Sequence, residues 1–176
     1  MKRRIGIGLI VWFLCCACSS TTHLSIPFSA SVYQSSSEYV RAVSHGESAN
    51  EALAERIAIH TAQTELSSLI QAFVKNVNAE FNSIYSDSES KEWKSTFEKE
   101  EISISQQTMS KLKVVENKEI LRKDGLYEIW VVVELPRKSL MDGFEKLFSA
   151  SRLKSVEDKK RRFQQVFDGE WTKLLH

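Results

Sequence analysis

The sequence has little cysteine, and none where it could staple a fold. All three cysteines of the 176 residues fall within positions 15 to 18. The chain beyond them can close no internal disulfide and must be held by packing alone. No cysteine pair there has the spacing of a metal site either. Proline is scarce, with Pro27 and Pro136 the two present. Gly46, Gly125, Gly143 and Gly169 stand alone, which excludes a phosphate-cradling loop. The four histidines, His23, His45, His60 and His176, are scattered, and no catalytic constellation or cofactor motif is legible. Glu98, Glu100 and Glu101 are interleaved with Lys94 and Lys99, the pattern of a solvated helix face rather than of paired acid and base. Charge of one sign is lacking too: the net charge is +1. Loss of Lys2, Arg3 and Arg4 would take it to −2, so nothing electrostatic points to nucleic acid as a partner.

Long apolar runs are also missing. The longest, Ile5 to Leu14, is too short to span a bilayer as a mature helix. It follows the basic Lys2-Arg3-Arg4 and precedes Cys15-Cys16-Ala17-Cys18, the order of an export signal. Ala17-Cys18 resembles a bacterial lipobox. The resemblance implies a signal peptide at residues 1–17, cleavage after Ala17 and lipidation of Cys18. The pattern departs from the usual one at Cys15, where an aliphatic residue is common, and Leu14 stands one place earlier. An ordinary secretory signal and an uncleaved anchor are the alternatives. Ser19 after the cysteine favours the outer membrane by the same resemblance. The lack of an acidic cluster there favours its periplasmic face.

Residues 18–37, rich in Ser and Thr, read as a flexible tether of a few tens of ångströms (about 5–6 Å × √n). Residues 38–150 have enough apolar periodicity for one domain. Glu38 to Ser44 is a strand, and His45-Gly46-Glu47 reads as a turn with Gly46 at positive φ. Ser48 to about Tyr85 is one long amphipathic helix. Ile57, Leu66, Leu69, Ile70, Phe73, Val77, Phe81 and Ile84 recur at spacings of three and four. Ser48 and Glu51 fit a capping box. Ala49, Ala52, Ala54, Ala58 and Ala62 give the first half high helix propensity and a thin face that a sheet can approach closely. A helix of that length outruns a compact domain, so its end either protrudes or packs on a partner. Ser86-Asp87-Ser88 stops it.

Glu89 to about Met109 is a second helix, marked by Trp93, Phe97 and Ile104. Alternation around Ile102 and Ile104 leaves a strand open for its second half. Leu112–Lys123 and Leu126–Leu135 form a hairpin across Asp124-Gly125, a type I′ signal. Leu126–Leu135 is apolar on both faces and belongs in the middle of the sheet. A two-residue turn would set Lys118 and Glu116 on its buried face, a conflict that a bulge near Asn117 would resolve. Leu140, Met141, Phe144, Leu147 and Phe148 define a short helix after Pro136. Residues 151–176 carry a C-terminal amphipathic helix with Phe163, Val166, Phe167, Trp171 and Leu174 on one face. Lys159-Lys160-Arg161-Arg162 beside those aromatics offers a membrane-surface helix as the alternative to packing on the domain. The fold class expected is therefore α+β: a three-stranded antiparallel sheet in β-α-α-β-β order, a long helix across one face, and C-terminal helices. The other sheet face, with Trp130, Val132, Val115 and Leu121, needs a cover. The C-terminal helix is the favoured one, and a second copy of the domain the other.

Several short motifs resemble the LPP-twenty family of bacterial lipoproteins, the Helicobacter-antigen-like envelope domains. They are Tyr39-Val40-Arg41-Ala42-Val43-Ser44-His45-Gly46-Glu47-Ser48, Glu51-Ala52-Leu53-Ala54, Leu112-Lys113-Val114-Val115 and Asp124-Gly125-Leu126-Tyr127-Glu128-Ile129-Trp130-Val131. The resemblance implies a helix across a small antiparallel sheet, similar to dodecins, and no shared enzymatic activity or cofactor. The one functional residue it carries over is Cys18. The expectation is a non-enzymatic binding or scaffold lipoprotein of the envelope. Its partners would be the membrane through the lipid anchor and envelope proteins, with a homo-oligomer possible in principle. The alternative is a small-ligand carrier or an enzyme on the same sheet, gathering groups such as His45, His60, Glu128 or Asp124 in a pocket.

Overall fold

The computed structural model describes residues 26–84, 88–150 and 156–175. The expected signal peptide, Cys18, the first part of the tether and the helix stop at Ser86-Asp87 lie outside them. The described chain is α+β. Three antiparallel strands, β1 (Tyr39–Ser48), β2 (Lys113–Leu121) and β3 (Tyr127–Pro136), stand in the order β1-β3-β2. The central strand is the one apolar on both faces, as expected. Helix α1 (Glu51–Ile84) packs across one sheet face.

Strand β1 runs four residues further than its local sequence predicts. His45, Gly46 and Glu47 do not turn; they pair with Trp130, Ile129 and Glu128 of β3. Gly46 has no positive φ. Its role is space. A Cβ there would lie 2.2 Å from the Ala54 carbonyl oxygen and 2.7 Å from the Ala58 nitrogen. The helix backbone rests directly on the strand, and Ala54, Ala58 and Ala62, all fully buried, make that approach possible. Ser44 bridges the same contact by donating to the Ala58 carbonyl at 2.9 Å. The capping box is also replaced. With Ser48 held in the strand, Asn50 becomes the cap: its Oδ1 accepts from the Leu53 N–H at 2.9 Å, and Ser48 Oγ accepts from the Asn50 N–H at 3.0 Å.

At about 1.5 Å per residue, α1 is roughly 50 Å long, and only its first half lies on the sheet. Its second half neither protrudes nor waits for a partner. Helices α2 (Ser88–Met109), α3 (Arg137–Ala150) and α4 (Val156–Leu174) form around it. Phe73 and Phe81 of α1 meet Trp93, Phe148, Phe163, Phe167 and Trp171 with ring centroids 5.0 to 6.1 Å apart. Edge-on and tilted pairs of this kind add to plain apolar burial. Helix α2 is helical throughout: Trp93, Phe97, Ile104 and Thr108 are buried at helical spacing, while Ile102 is turned outward. The strand reading of its second half fails for that reason.

Two further expectations are corrected at the hairpin. The Arg122 N–H donates to the Leu126 carbonyl and the Gly125 N–H to the Arg122 carbonyl. Gly125 has φ +83° and Asp124 does not have positive φ. This is a three-residue loop closed by a left-handed glycine, not a type I′ turn. The extra loop residue shifts the register by one, so Lys118 faces Trp130 and Glu116 faces Val132. Both charges thereby leave the buried face. A bulge does exist, between Val114 and Glu116 rather than near Asn117. It sets Lys113 opposite Glu134 and returns Val114 to the helix side. Leu121, opposite Tyr127, is also on the helix side and not on the face expected for it.

The C-terminal helix does not cover the second sheet face. Phe163, Phe167 and Trp171 turn into the aromatic core beneath α1. Their apolar side is therefore unavailable to a membrane surface. Among the described residues no helix is long and apolar enough to cross a membrane.

The Gly46 contact generates a paired prediction. Gly46→Ala should destabilise the protein by roughly 3 kcal/mol, because backbone atoms must move to admit the methyl group. Gly169→Ala, on the exposed side of α4 with open space at its Cβ, should instead stabilise by about 0.5–1 kcal/mol. Urea unfolding of the two proteins checks both signs; a tolerated Gly46→Ala would remove the close contact as the fold's constraint.

Candidate functional site: the open face of the sheet

Alternation along the strands sends one set of residues into the core beneath α1 and the other onto the opposite face, where Val132 at the centre is nonetheless fully buried. The register arranges this open face as four cross-strand rows. They are Arg41–Glu134–Lys113, Val43–Val132–Glu116, His45–Trp130–Lys118 and Glu47–Glu128–Ile120. It is a mixed surface of charges around an aromatic and aliphatic centre; of the apolar patch expected from Trp130, Val132, Val115 and Leu121, the register keeps Trp130 and Val132 on this face and takes Leu121 off it.

The first row is structural. Arg41 Nε donates to Glu134 Oε2 at 2.8 Å, in a pair that is largely shielded from water. The same guanidinium donates to the Val32 carbonyl at 2.6 Å and to the Gln34 carbonyl at 3.3 Å. Ser35 Oγ accepts from the Arg41 N–H at 2.9 Å. Residues 32–36, expected as tether, are thus bound against the edge of β1. Only the part nearer Cys18 lies outside the described chain.

The third and fourth rows form a polar corner. The His45 ring stacks on the Trp130 ring at 4.5 Å and 22°. The Trp130 indole N–H donates to Glu128 Oε1 at 2.7 Å. Glu47 stands directly opposite Glu128, a like-charge pairing that sheets disfavour. Arg122, from the hairpin loop, reaches Glu47 Oε2 at 2.9 Å and Asp124 Oδ2 at 2.9 Å. His45 Nε2 lies 3.9 Å from Glu47 Oε1. Of the four groups considered from the sequence, the fold gathers His45 and Glu128. It does so on an open surface rather than in a deep pocket. Asp124 is tied to Arg122 in the loop. His60 lies apart, on the outer side of α1, where it lines an open groove of about 930 Å³ between α1 and α2 with Thr64, Ser67, Gln71 and Ser105.

Arg41, Glu47, Arg122 and the His45–Trp130 stack carried no signal in the sequence. Each depends on a partner placed by strand register. Two ammonium groups have raised pKa values, Lys138 through its hydrogen bond to Asp142 and Lys173 through its hydrogen bond to Glu170. Lys138 sits on α3, where it shares a cavity with Glu134 and Lys113, and Lys173 sits on α4. No family model, curated protein or solved structure matches the chain.

Arg41→Ala should cost about 2 kcal/mol, the scale of a charge-assisted hydrogen bond lost, and should release residues 32–36 to proteolysis. Arg41→Lys should recover only part of this, because one ammonium cannot serve Glu134 and two backbone carbonyls in the guanidinium's geometry. Denaturant melts with limited proteolysis check it; full stability in Arg41→Ala would reduce the pair to a surface contact.

Proposed function

We propose that this chain is an exported bacterial envelope lipoprotein, anchored through Cys18 at the periplasmic face of the outer membrane. There it acts as a non-enzymatic binding or scaffold component. The observation that carries the address is the order of Lys2-Arg3-Arg4, the apolar Ile5–Leu14 and Ala17-Cys18. The resemblance of the strand, helix and hairpin motifs to LPP-twenty lipoproteins supports the same reading. A domain held by packing without disulfides suits export only if its core is complete, and the aromatic core under α1 supports that.

The binding role draws on the open sheet face. That face presents an imidazole stacked on an indole, the partly exposed aliphatic Val43 and Ile120 around a buried Val132, and charges of both signs. Central aromatics inside a polar rim are the usual composition of a protein interface. Envelope proteins are the partners this surface suits. Nucleic acid is not, because Glu47, Glu116, Glu128 and Glu134 oppose the phosphate backbone.

Metabolic labelling with an alkyne fatty acid tests the address. The native protein should take label and Cys18→Ala should not; label on the Cys18→Ala protein, or none on the native one, sinks the assignment. A photo-crosslinker at Lys118 should capture envelope proteins in cells, and one at Arg162 on α4 should not.

A further inference from the structure

We infer that the corner formed by His45, Glu47 and Glu128 binds a divalent cation of the zinc type. His45 and Glu47 are two apart on β1 and so share a face, and Glu128 lies directly across from Glu47. One ligand atom from each, an imidazole nitrogen and two carboxylate oxygens, lies within 4.8 Å of the others. The 3.9 Å between His45 Nε2 and Glu47 Oε1 is too long for a hydrogen bond. Zinc holds nitrogen and oxygen donors at ~2.0–2.2 Å. Drawing these three donors onto one ion needs side-chain shifts of about 1 Å, and the His45 and Glu47 side chains are nearly half exposed.

Three features make this more than a chance grouping of exposed acids. The cross-strand Glu47–Glu128 pair is repulsive where it stands, and a cation between them removes the repulsion. Arg122 does this in part, but it engages Glu47 Oε2 and leaves Oε1 toward the imidazole. Trp130 fixes both of the other donors: it stacks on the His45 ring and donates to one oxygen of Glu128. Outer contacts that orient a ring and a carboxylate are what metal ligands require. The donor set of one nitrogen and two oxygens suits zinc and its neighbours rather than magnesium or calcium, which take oxygen alone. Three protein ligands leave a position for water or for a carboxylate of a docking partner. Cation binding at this corner does not depend on the lipid anchor.

The test uses the full chain in detergent micelles, with Cys15, Cys16 and Cys18 replaced by Ser to remove competing thiols. The probe is Zn²⁺, with Mg²⁺ as the comparison ion. The readout is the NMR resonance of the Trp130 indole N–H, identified by its loss in Trp130→Phe. Zn²⁺ should shift that resonance saturably and Mg²⁺ should not. His45→Phe keeps a ring to stack on Trp130 but has no donor nitrogen; it should abolish the response. Glu128→Gln should weaken binding by roughly tenfold or more. Arg122→Ala should tighten it by removing a competing positive charge. A resonance that ignores Zn²⁺, or one that still responds fully in His45→Phe, overturns the inference.

Discussion

The close seating of α1 on β1 is the contact on which the rest of the structure depends. It needs a residue without a side chain on the strand and residues with minimal side chains on the helix. Gly46 and the Ala54, Ala58, Ala62 series meet that need together. Because the backbones touch, Ser44 can reach the Ala58 carbonyl. That bond locks the helix in rotation as well as in distance. Helix α1 is a single rigid element, so its placement on the sheet also aims its distal half. The direction in which Phe73, Val77 and Phe81 point is set about 40 Å or less away, at Gly46, given the ~1.5 Å rise per residue.

That distal half explains the economy of the C-terminal helices. A three-stranded sheet with one helix has a small core, marginal without disulfides. The chain enlarges it by gathering aromatics from three helices around α1. Phe167, Phe144, Phe163 and Phe148 form a chain of ring pairs that Phe148 joins to Trp93, with centroids 4.6 to 5.9 Å apart. Arg137, at the junction between β3 and α3, lays its guanidinium over Phe167 and Trp171 and pairs with Asp168. It ties the sheet's end to the helical end. Large-to-small changes in such a cluster are costly because the neighbours collapse only partly. The price of committing α4 here is that the sheet keeps one face open.

The open face owes its character to two small backbone events. The three-residue loop at Gly125 and the bulge at Val115 each move the register of β2 by one. Together they send Lys113, Glu116 and Lys118 outward on one side of β3. The bulge and the lysines also blunt β2 as an edge against strand addition. The result is a face whose aromatic pair is stacked across strands while the Glu47 and Glu116 carboxylates remain accessible.

Local pattern determined much of this protein. The long helix, its alanine face, the central place of the strand around Val131 and the helical period of the C-terminal segment come from apolar spacing within single segments. The α+β class comes from their order. The lipobox-like Ala17-Cys18 is legible only as sequence. What local pattern could not decide were relations between segments distant along the chain. Gly46 looks like a turn residue until β3 pairs beside it. Asp124-Gly125 looks like a two-residue turn until strand register demands a third. Phe163 and Trp171 have an apolar face, but periodicity does not say which of two uncovered surfaces they bury. The corner of His45, Glu47, Glu128 and Arg122 exists only because two strands pair in one register and not its neighbour. A shift of one residue exchanges the two faces of a strand, so that choice rests on the whole core and not on any single stretch.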